Sequence, residues 1–145
     1  MKIFTIGFTR KTAECFFGLL DRPDLKCVLD IRLNNTSQLA GFTRSADLRF
    51  FLNRLIGKDY VHLPQLAPNA DMLKSYRDGK GGWVAYERDF LALMSERRVE
   101  ETVSAELLDG GCLLCSEATP EQCHRRLVAE YLAAQWQGVQ VCHLV

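Results

Sequence analysis

Short apolar runs alternate along this chain with longer stretches in which apolar residues return every three or four positions. The runs read as strands, and the longer stretches as helices with one buried face. Ile3 to Phe8 is the first expected strand. A helix to about Leu20 follows, with Thr9 or Thr12 as its cap and Ala13, Phe16, Phe17 and Leu20 on its inward stripe. Cys27 to Arg32 is the second strand, and Tyr60 to Leu63 is a short third one stopped by Pro64. Cys112 to Cys115 is the fourth and Val139 to Leu144 the fifth. Between strands two and three the spacing predicts a helix from a Ser45 cap to about Ile56, closed by Gly57, with Leu48, Phe51, Leu52 and Leu55 inward. A short helix near Met72 to Tyr76 and two more over about 84–96 and 100–108 precede strand four. After that strand, Thr119, Pro120 and Gln122 have the pattern of a cap, a first helical residue and a capping partner. The last helix is therefore expected to start at Pro120, carry Leu127, Val128, Tyr131 and Leu132 inward, and end at Gly138.

Strands alternating with helices predict an α/β fold: a Rossmann-like three-layer sandwich around a mainly parallel five-stranded sheet. The expected strand order is 3-2-1-4-5, which would set a switch point between strands one and four. Ligands in such sheets bind beyond the C-terminal strand ends at that point. Thr9, Asp30, Arg32, His62 and Glu117 all fall at or just past such ends. The stretch from Leu33 to Arg44 is polar, unpatterned and long for a connector. Loops of that kind more often carry function, and Ser37 within it is a candidate anion contact.

A length of 145 residues fits one domain with a real core. Lys and Arg number 18 and so do Asp and Glu, so no global field draws the protein to nucleic acid or to a membrane surface. A local basic patch is compatible with that balance. No apolar run reaches the roughly 18 residues of a membrane span, and the start of the chain is too short and too strand-like for a signal peptide. The six cysteines sit mostly inside apolar runs. Free thiols in a reducing cytoplasm are the expectation, and no cofactor is called for.

The candidate chemistry gathers around the fourth strand and the helix after it. The amino end of that helix favours an anion. His124 falls on its inward stripe, Arg125 is one step around, and Arg126 shares a solvated face with Ala129, Glu130 and Ala133. His124 as a proton-handling group stands beside His124 as a core-edge residue bonded to a carbonyl. Cys115 and Glu117 are two apart at the strand end. Glu117 would be a general acid or base, or else a cap or ion-pair partner of Arg32 or Arg125. Asp30 and Arg32 carry the same two readings. Cys123 in the first turn of a helix beside His124, or Cys115 near the same helix start, would suit an activated thiol. Buried, inert cysteine is the default for both. A zinc site from Cys112, Cys115, Cys123 and His124 meets an obstacle, because residues three apart on a strand point to opposite faces. Tyr60, His62, Tyr76, Trp83 and Tyr86 could line a pocket, and His143 reads as a strand-face residue.

Thr5-Ile6-Gly7, Asp30-Ile31-Arg32 with the polar stretch to Phe42, and His62-Leu63-Pro64-Gln65-Leu66-Ala67-Pro68 make a pattern together with Trp83 and Tyr86. Leu114-Cys115-Ser116-Glu117 and Cys123-His124-Arg125 complete it. With these motifs the chain resembles the DUF488 family over nearly its whole length. The resemblance implies an α/β fold and a cleft built from these motifs. It brings no substrate. It favours Cys115, Glu117, Cys123, His124 and Arg125 over Cys112 and Arg126, which weakens the zinc reading. The expected function is an enzyme, a hydrolase or group transferase, acting on an anionic and phosphate-bearing substrate such as a nucleotide or nucleic acid. Asp30, Glu117 and His124 would handle protons, and Arg32, Ser37, Arg125, Thr9 and His62 would hold the anion. A non-catalytic binding module for a nucleotide or a protein, and a thiol-redox protein with Cys115 or Cys123 as the reactive group, are the alternatives.

Overall fold

The computed structural model describes residues 1–36, 41–117 and 119–145. Five strands form one parallel sheet: β1 (Lys2–Gly7), β2 (Cys27–Asp30), β3 (Asp59–His62), β4 (Gly111–Cys115) and β5 (Gln140–Leu144). Helix α1 (Ala13–Leu20) joins β1 to β2, and α2 (Ser45–Ile56) joins β2 to β3. The passage from β3 to β4 holds α3 (Ala70–Arg77), α4 (Gly82–Arg97), α5 (Val99–Thr102) and α6 (Ala105–Leu108). Helix α7 (His124–Gln135) joins β4 to β5.

Side chains alternate across the sheet and feed two cores. Phe4, Ile6, Val28, Cys112 and Leu114 face Phe16, Phe17 and Leu20 of α1 and Leu48 and Leu52 of α2. Ile3, Leu29, Ile31 and Leu113 face Phe90 and Met94 of α4 and Leu127, Val128 and Leu132 of α7. Each such side chain removed from water is worth about 1.5–3 kcal/mol. The three-layer α/β sandwich is the one expected.

The strand order differs from expectation. It is β3-β2-β4-β1-β5, with β4 inserted between β2 and β1. Both β1 and β4 are internal strands in either arrangement, so burial does not separate the two orders. The pairing of β2 with β4, Cys27 opposite Gly111 through Asp30 opposite Leu114, does. The switch point survives the exchange. β1 and β4 are still neighbours, and the chain leaves β1 for the α1 face and β4 for the α7 face. A crevice opens between their C-terminal ends.

The helix starts divide instructively. Thr12, not Thr9, caps α1: its hydroxyl accepts from the Cys15 N–H at 3.1 Å. Thr12→Ala is expected to cost about 1 kcal/mol in urea denaturation, whereas Thr9→Ala should leave the midpoint in place. Arg44, not Ser45, occupies the cap position of α2. Its end is as read, with Gly57 at φ 65° in the left-handed region. Asn69 caps α3 through its side chain, and the helix expected over 100–108 is two short ones, α5 and α6, broken at Val103 and Ser104. The largest correction is α7. It starts at His124 with Cys123 at the cap, four residues after Pro120, while the residues from 119 to 122 form bends and turns. A buried tie through Arg125, described below, holds this segment outside the helix.

Candidate active site

β4 ends at Cys115, in register with Gly7 of β1. The side chain of Cys115 lies on the α7 side of the sheet, where His124 in the first turn of α7 meets it. Sγ of Cys115 is 3.3 Å from Nδ1 of His124. The other ring nitrogen, Nε2, is 2.8 Å from the main-chain oxygen of Ile31, just past β2. A carbonyl only accepts, so Nε2 carries the hydrogen and donates it. In the neutral ring Nδ1 then presents its lone pair to the Cys115 thiol. If the proton moves, the imidazolium Nδ1–H donates to a thiolate. The tautomer is set by a fixed backbone atom, and the ring plane by Phe90, whose centroid is 5.5 Å away.

The environment of Cys115 favours the thiolate. Burial pushes its pKa up, but the Cys123 thiol, the N–H of Ser116, the Arg125 charge and the N–H of Glu117 outweigh it and hold the group below an ordinary thiol. Cys123 behaves oppositely. Its bond to Cys115 and its burial push it well above the usual range, so it stays protonated. Cys112 is on the other face of β4 in the α1–α2 core, and burial pushes its thiol up. The expected obstacle to a four-ligand zinc site is thus present. Cys115, Cys123 and a ring nitrogen of His124 nonetheless lie within 4.8 Å of one another. They are two thiols and an imidazole, one donor fewer than a closed structural zinc site takes, and Nδ1 is already engaged with Cys115.

Arg125 is the tie. It is fully buried, and it reaches from α7 across the loop after β4. Nε donates to Thr5 Oγ1 at 3.3 Å, and Nη1 donates to the main-chain oxygen of Glu117 and lies 3.8 Å from Cys123 Sγ. Nη2 has no partner among the described residues. The Thr5 hydroxyl also lies 2.6 Å from His143 Nδ1. Burial and the Arg125 charge lower the His143 pKa, which favours the neutral ring.

On the other side of the rim, Asp30 and Arg32 form a buried ion pair. Arg32 Nε and Nη2 each donate to the carboxylate at 2.8 Å, and Nη2 also donates to the Thr43 carbonyl at 2.6 Å. The Tyr60 hydroxyl donates to the same carboxylate, and Arg32 stacks 5.4 Å from the Phe8 centroid. Burial opposes the Arg32 charge, yet Asp30 more than restores it and raises the guanidinium pKa.

These elements enclose a cleft of about 730 Å³ at the switch point. Cys115, Cys123, His124, Glu117 and Thr9 line it, with Arg32 at one edge. Arg10, Lys11 and Arg77 bring further positive charge, against the single carboxylate of Glu117 among the described lining residues. Burial, then the charge of Arg125, lower the Lys11 pKa. Tyr76, Trp83 and Tyr86 make an aromatic wall, with Trp83 stacked on Tyr86 at 5.3 Å.

Residues 12–132 match the model of a family described as Domain of unknown function DUF488. The chain belongs to the DUF488 family. No curated protein and no solved structure matches it. The part of this DUF488 chain that matches holds Asp30, Arg32, Cys115, Glu117, Cys123, His124 and Arg125, while Thr5 and His143 lie outside it.

Of the residues singled out in the sequence, Cys115, Cys123, His124, Glu117, Thr9 and Arg32 meet at one cleft. Thr9 also ties the β1 and β4 loops, its N–H donating to the Ser116 carbonyl at 2.9 Å. Asp30 lies beneath the rim, holding Arg32. Arg125 lies beneath the loop rather than in the opening. His62 contacts the Arg32 main-chain oxygen at 3.2 Å and stands outside the lining. Ser37 is outside the described residues. The exposed Glu117 carboxylate sits at the lip, and its main-chain oxygen makes the structural bond. Arg10 and Lys11 went unremarked in the sequence. The signal available was their place, directly after β1 at the switch point. Arg10 also adopts φ 62°, an uncommon backbone for a residue with a side chain. Among the described residues no helix is long and apolar enough to cross a membrane.

Proposed function

We propose that this DUF488 protein is an enzyme of the hydrolase or group-transfer class in which Cys115 is the nucleophile and His124 its base, acting on an anionic, phosphate-bearing substrate such as a nucleotide. The observation that carries this reading is the Cys115–His124 contact at 3.3 Å, with the opposite ring nitrogen fixed on the Ile31 carbonyl. A nucleophile, a base and a group that orients the base are the three parts such catalysis needs. Arg10, Lys11, Arg32 and Arg77 supply the field for the anion. The wall of Tyr76 and Trp83 offers a face for a planar base. Glu117 at the lip would activate the water or acceptor that displaces the adduct from Cys115. Asp30 is a positioning residue that fixes Arg32.

Alkylation tests the reading without knowledge of the substrate. Iodoacetate, an anion, and iodoacetamide, its neutral counterpart, should both modify Cys115 faster than the exposed Cys15, with the anion favoured at low salt. The rate at Cys115 should rise with pH and level off below the range of an ordinary thiol, because the folded protein holds this pKa down. His124→Gln removes the proton acceptor and should slow the reaction at neutral pH by about tenfold, the equivalent of one pKa unit. Labelling of Cys115 no faster than that of the inert Cys112 would remove the nucleophile from the proposal.

A further inference from the structure

The nucleophile reading leaves one neighbour unexplained. Cys123 places a second sulfur within 4.8 Å of the Cys115 sulfur and lines the same cleft. A hydrolase or transferase that works through one thiolate has no use for a second thiol at that distance. Helix capping does not account for it either. Cys123 occupies the cap position of α7 and makes no side-chain cap bond, where Ser, Thr, Asp or Asn would normally serve. Its sulfur turns instead toward Cys115 and Arg125, whose Nη1 is 3.8 Å away. Cys112 and Cys27, by contrast, belong to the two apolar cores.

We infer that Cys115 and Cys123 form a working dithiol pair, with Cys115 as the attacking sulfur and Cys123 as the resolving sulfur, and that the protein reduces hydroperoxides by two electrons. The inference rests on the reading of Cys115 as an activated thiolate and adds a second residue and a second activity to that site. In the first step the Cys115 thiolate attacks one oxygen of the hydroperoxide. A sulfur–oxygen bond forms, the O–O bond breaks, and the other oxygen leaves and takes the proton that Cys115 gave to His124 to become an alcohol or water. Cys115 is now a sulfenic acid. In the second step the Cys123 sulfur attacks the Cys115 sulfur. The disulfide forms, the sulfur–oxygen bond breaks, and the hydroxyl leaves as water with the proton from Cys123. The pair has given up two electrons and the peroxide has gained them. An external thiol returns the disulfide to the dithiol.

The two sulfurs stand in the order this sequence requires. Cys115 is held by His124 and the rigid end of β4, and Cys123 sits at the end of a loop, outside the regular turns of α7. Closing the bond to about 2.05 Å asks the loop side to move. Oxidation of Cys115 removes the thiolate whose bond is the first cause of the raised Cys123 pKa, and Arg125 Nη1 at 3.8 Å then favours the Cys123 thiolate that attacks.

The test uses the full, reduced chain and one equivalent of hydrogen peroxide, read by thiol titration and peptide mass mapping. The expected result is loss of two of the six thiols, a Cys115–Cys123 link, and full recovery with dithiothreitol. In Cys123→Ser, where serine suits the cap position and should leave the fold intact by circular dichroism, oxidation should stop at one thiol. Cys115 should then be trapped as the dimedone adduct of a sulfenic acid. Cys142→Ser should behave as the parent chain. Rapid alkylation of Cys115 together with a persistent sulfenic acid in the parent chain, or with a link to any other cysteine, would overturn the dithiol pair and leave the nucleophile reading standing. Slow alkylation of Cys115 would end both.

Discussion

Gly7→Ala is expected to unfold the site from beneath. Gly7 ends β1 opposite Cys115, and the loop after β4 passes directly over it. A Cβ at this position would stand 1.5 Å from the main-chain oxygen of Glu117 and 2.5 Å from Nη1 of Arg125. Neither atom can yield at small cost. The oxygen is backbone, and the guanidinium is buried and bonded to that same oxygen. The added methyl must therefore push the loop away from β1 and break the Arg125 tie. A loss of at least about 3 kcal/mol is expected, the upper end of ordinary overpacking. In thermal denaturation this is a fall in Tm of roughly 10 °C. The alkylation rate of Cys115 should move with it, because the Ser116 and Glu117 N–H groups that favour its thiolate are part of the displaced loop. Gly18→Ala is the control. It lies within α1, where an added Cβ would meet nothing within 4 Å, and should stabilise by about 0.5–1 kcal/mol. A Gly7→Ala protein as stable as the parent would show that the loop does not rest on β1.

Asp30→Asn should cost about 3–5 kcal/mol, the range for breaking one side of a buried ion pair. Asp30 is wholly buried and Arg32 is 6% exposed, so the guanidinium has little water to turn to. The amide keeps one accepting oxygen and turns an NH2 donor toward the remaining donors, so it cannot match a carboxylate that takes Nε and Nη2 of Arg32 and the Tyr60 hydroxyl on its two oxygens. The Thr43 carbonyl would be left to hold the cation, and the entry to α2 would loosen with it. Urea denaturation measures the loss. Tyr60→Phe removes one neutral donor from the same carboxylate and should cost less, about 1.5–3 kcal/mol, the range for a hydrogen bond to a charged group. Equal effects for the two substitutions would mean that the ion pair contributes nothing beyond its hydrogen bonds.

The fold class was legible because short apolar runs and stretches of period 3.6 alternate cleanly along the chain. The strand order was not. β1 and β4 have nearly the same apolar pattern, and only the pairing of β2 with β4 tells which of them stands next to β2. The start of α7 escapes a local reading for a related reason. Thr119 and Pro120 have the local chemistry of a helix start, but Arg125 is bonded to the Glu117 carbonyl and Thr5, contacts that span up to 120 positions of sequence. Local signals yield there to a tertiary bond.

The site was readable as a set of residues and not as a set of roles. Asp30 and Arg32 look like cleft chemistry and prove to be each other's partner. His124 was open between a proton-handling residue and one bonded to a carbonyl, and its two ring nitrogens face one partner of each kind. The Ile31 carbonyl that decides this leaves no mark in a sequence, since every residue has a carbonyl.

Arg125 has a further consequence for how such proteins can diversify. Its side chain fastens the start of the β4 loop, at the Glu117 carbonyl, to the floor of the sheet, so that end of the loop cannot be lengthened or shortened without unseating a buried cation. The wall formed by α3 and the start of α4 carries no comparable anchor among the described residues; Tyr76 and Trp83 are only partly buried there. Relatives that accept different molecules should therefore vary along that wall while keeping the sulfur and imidazole end unchanged.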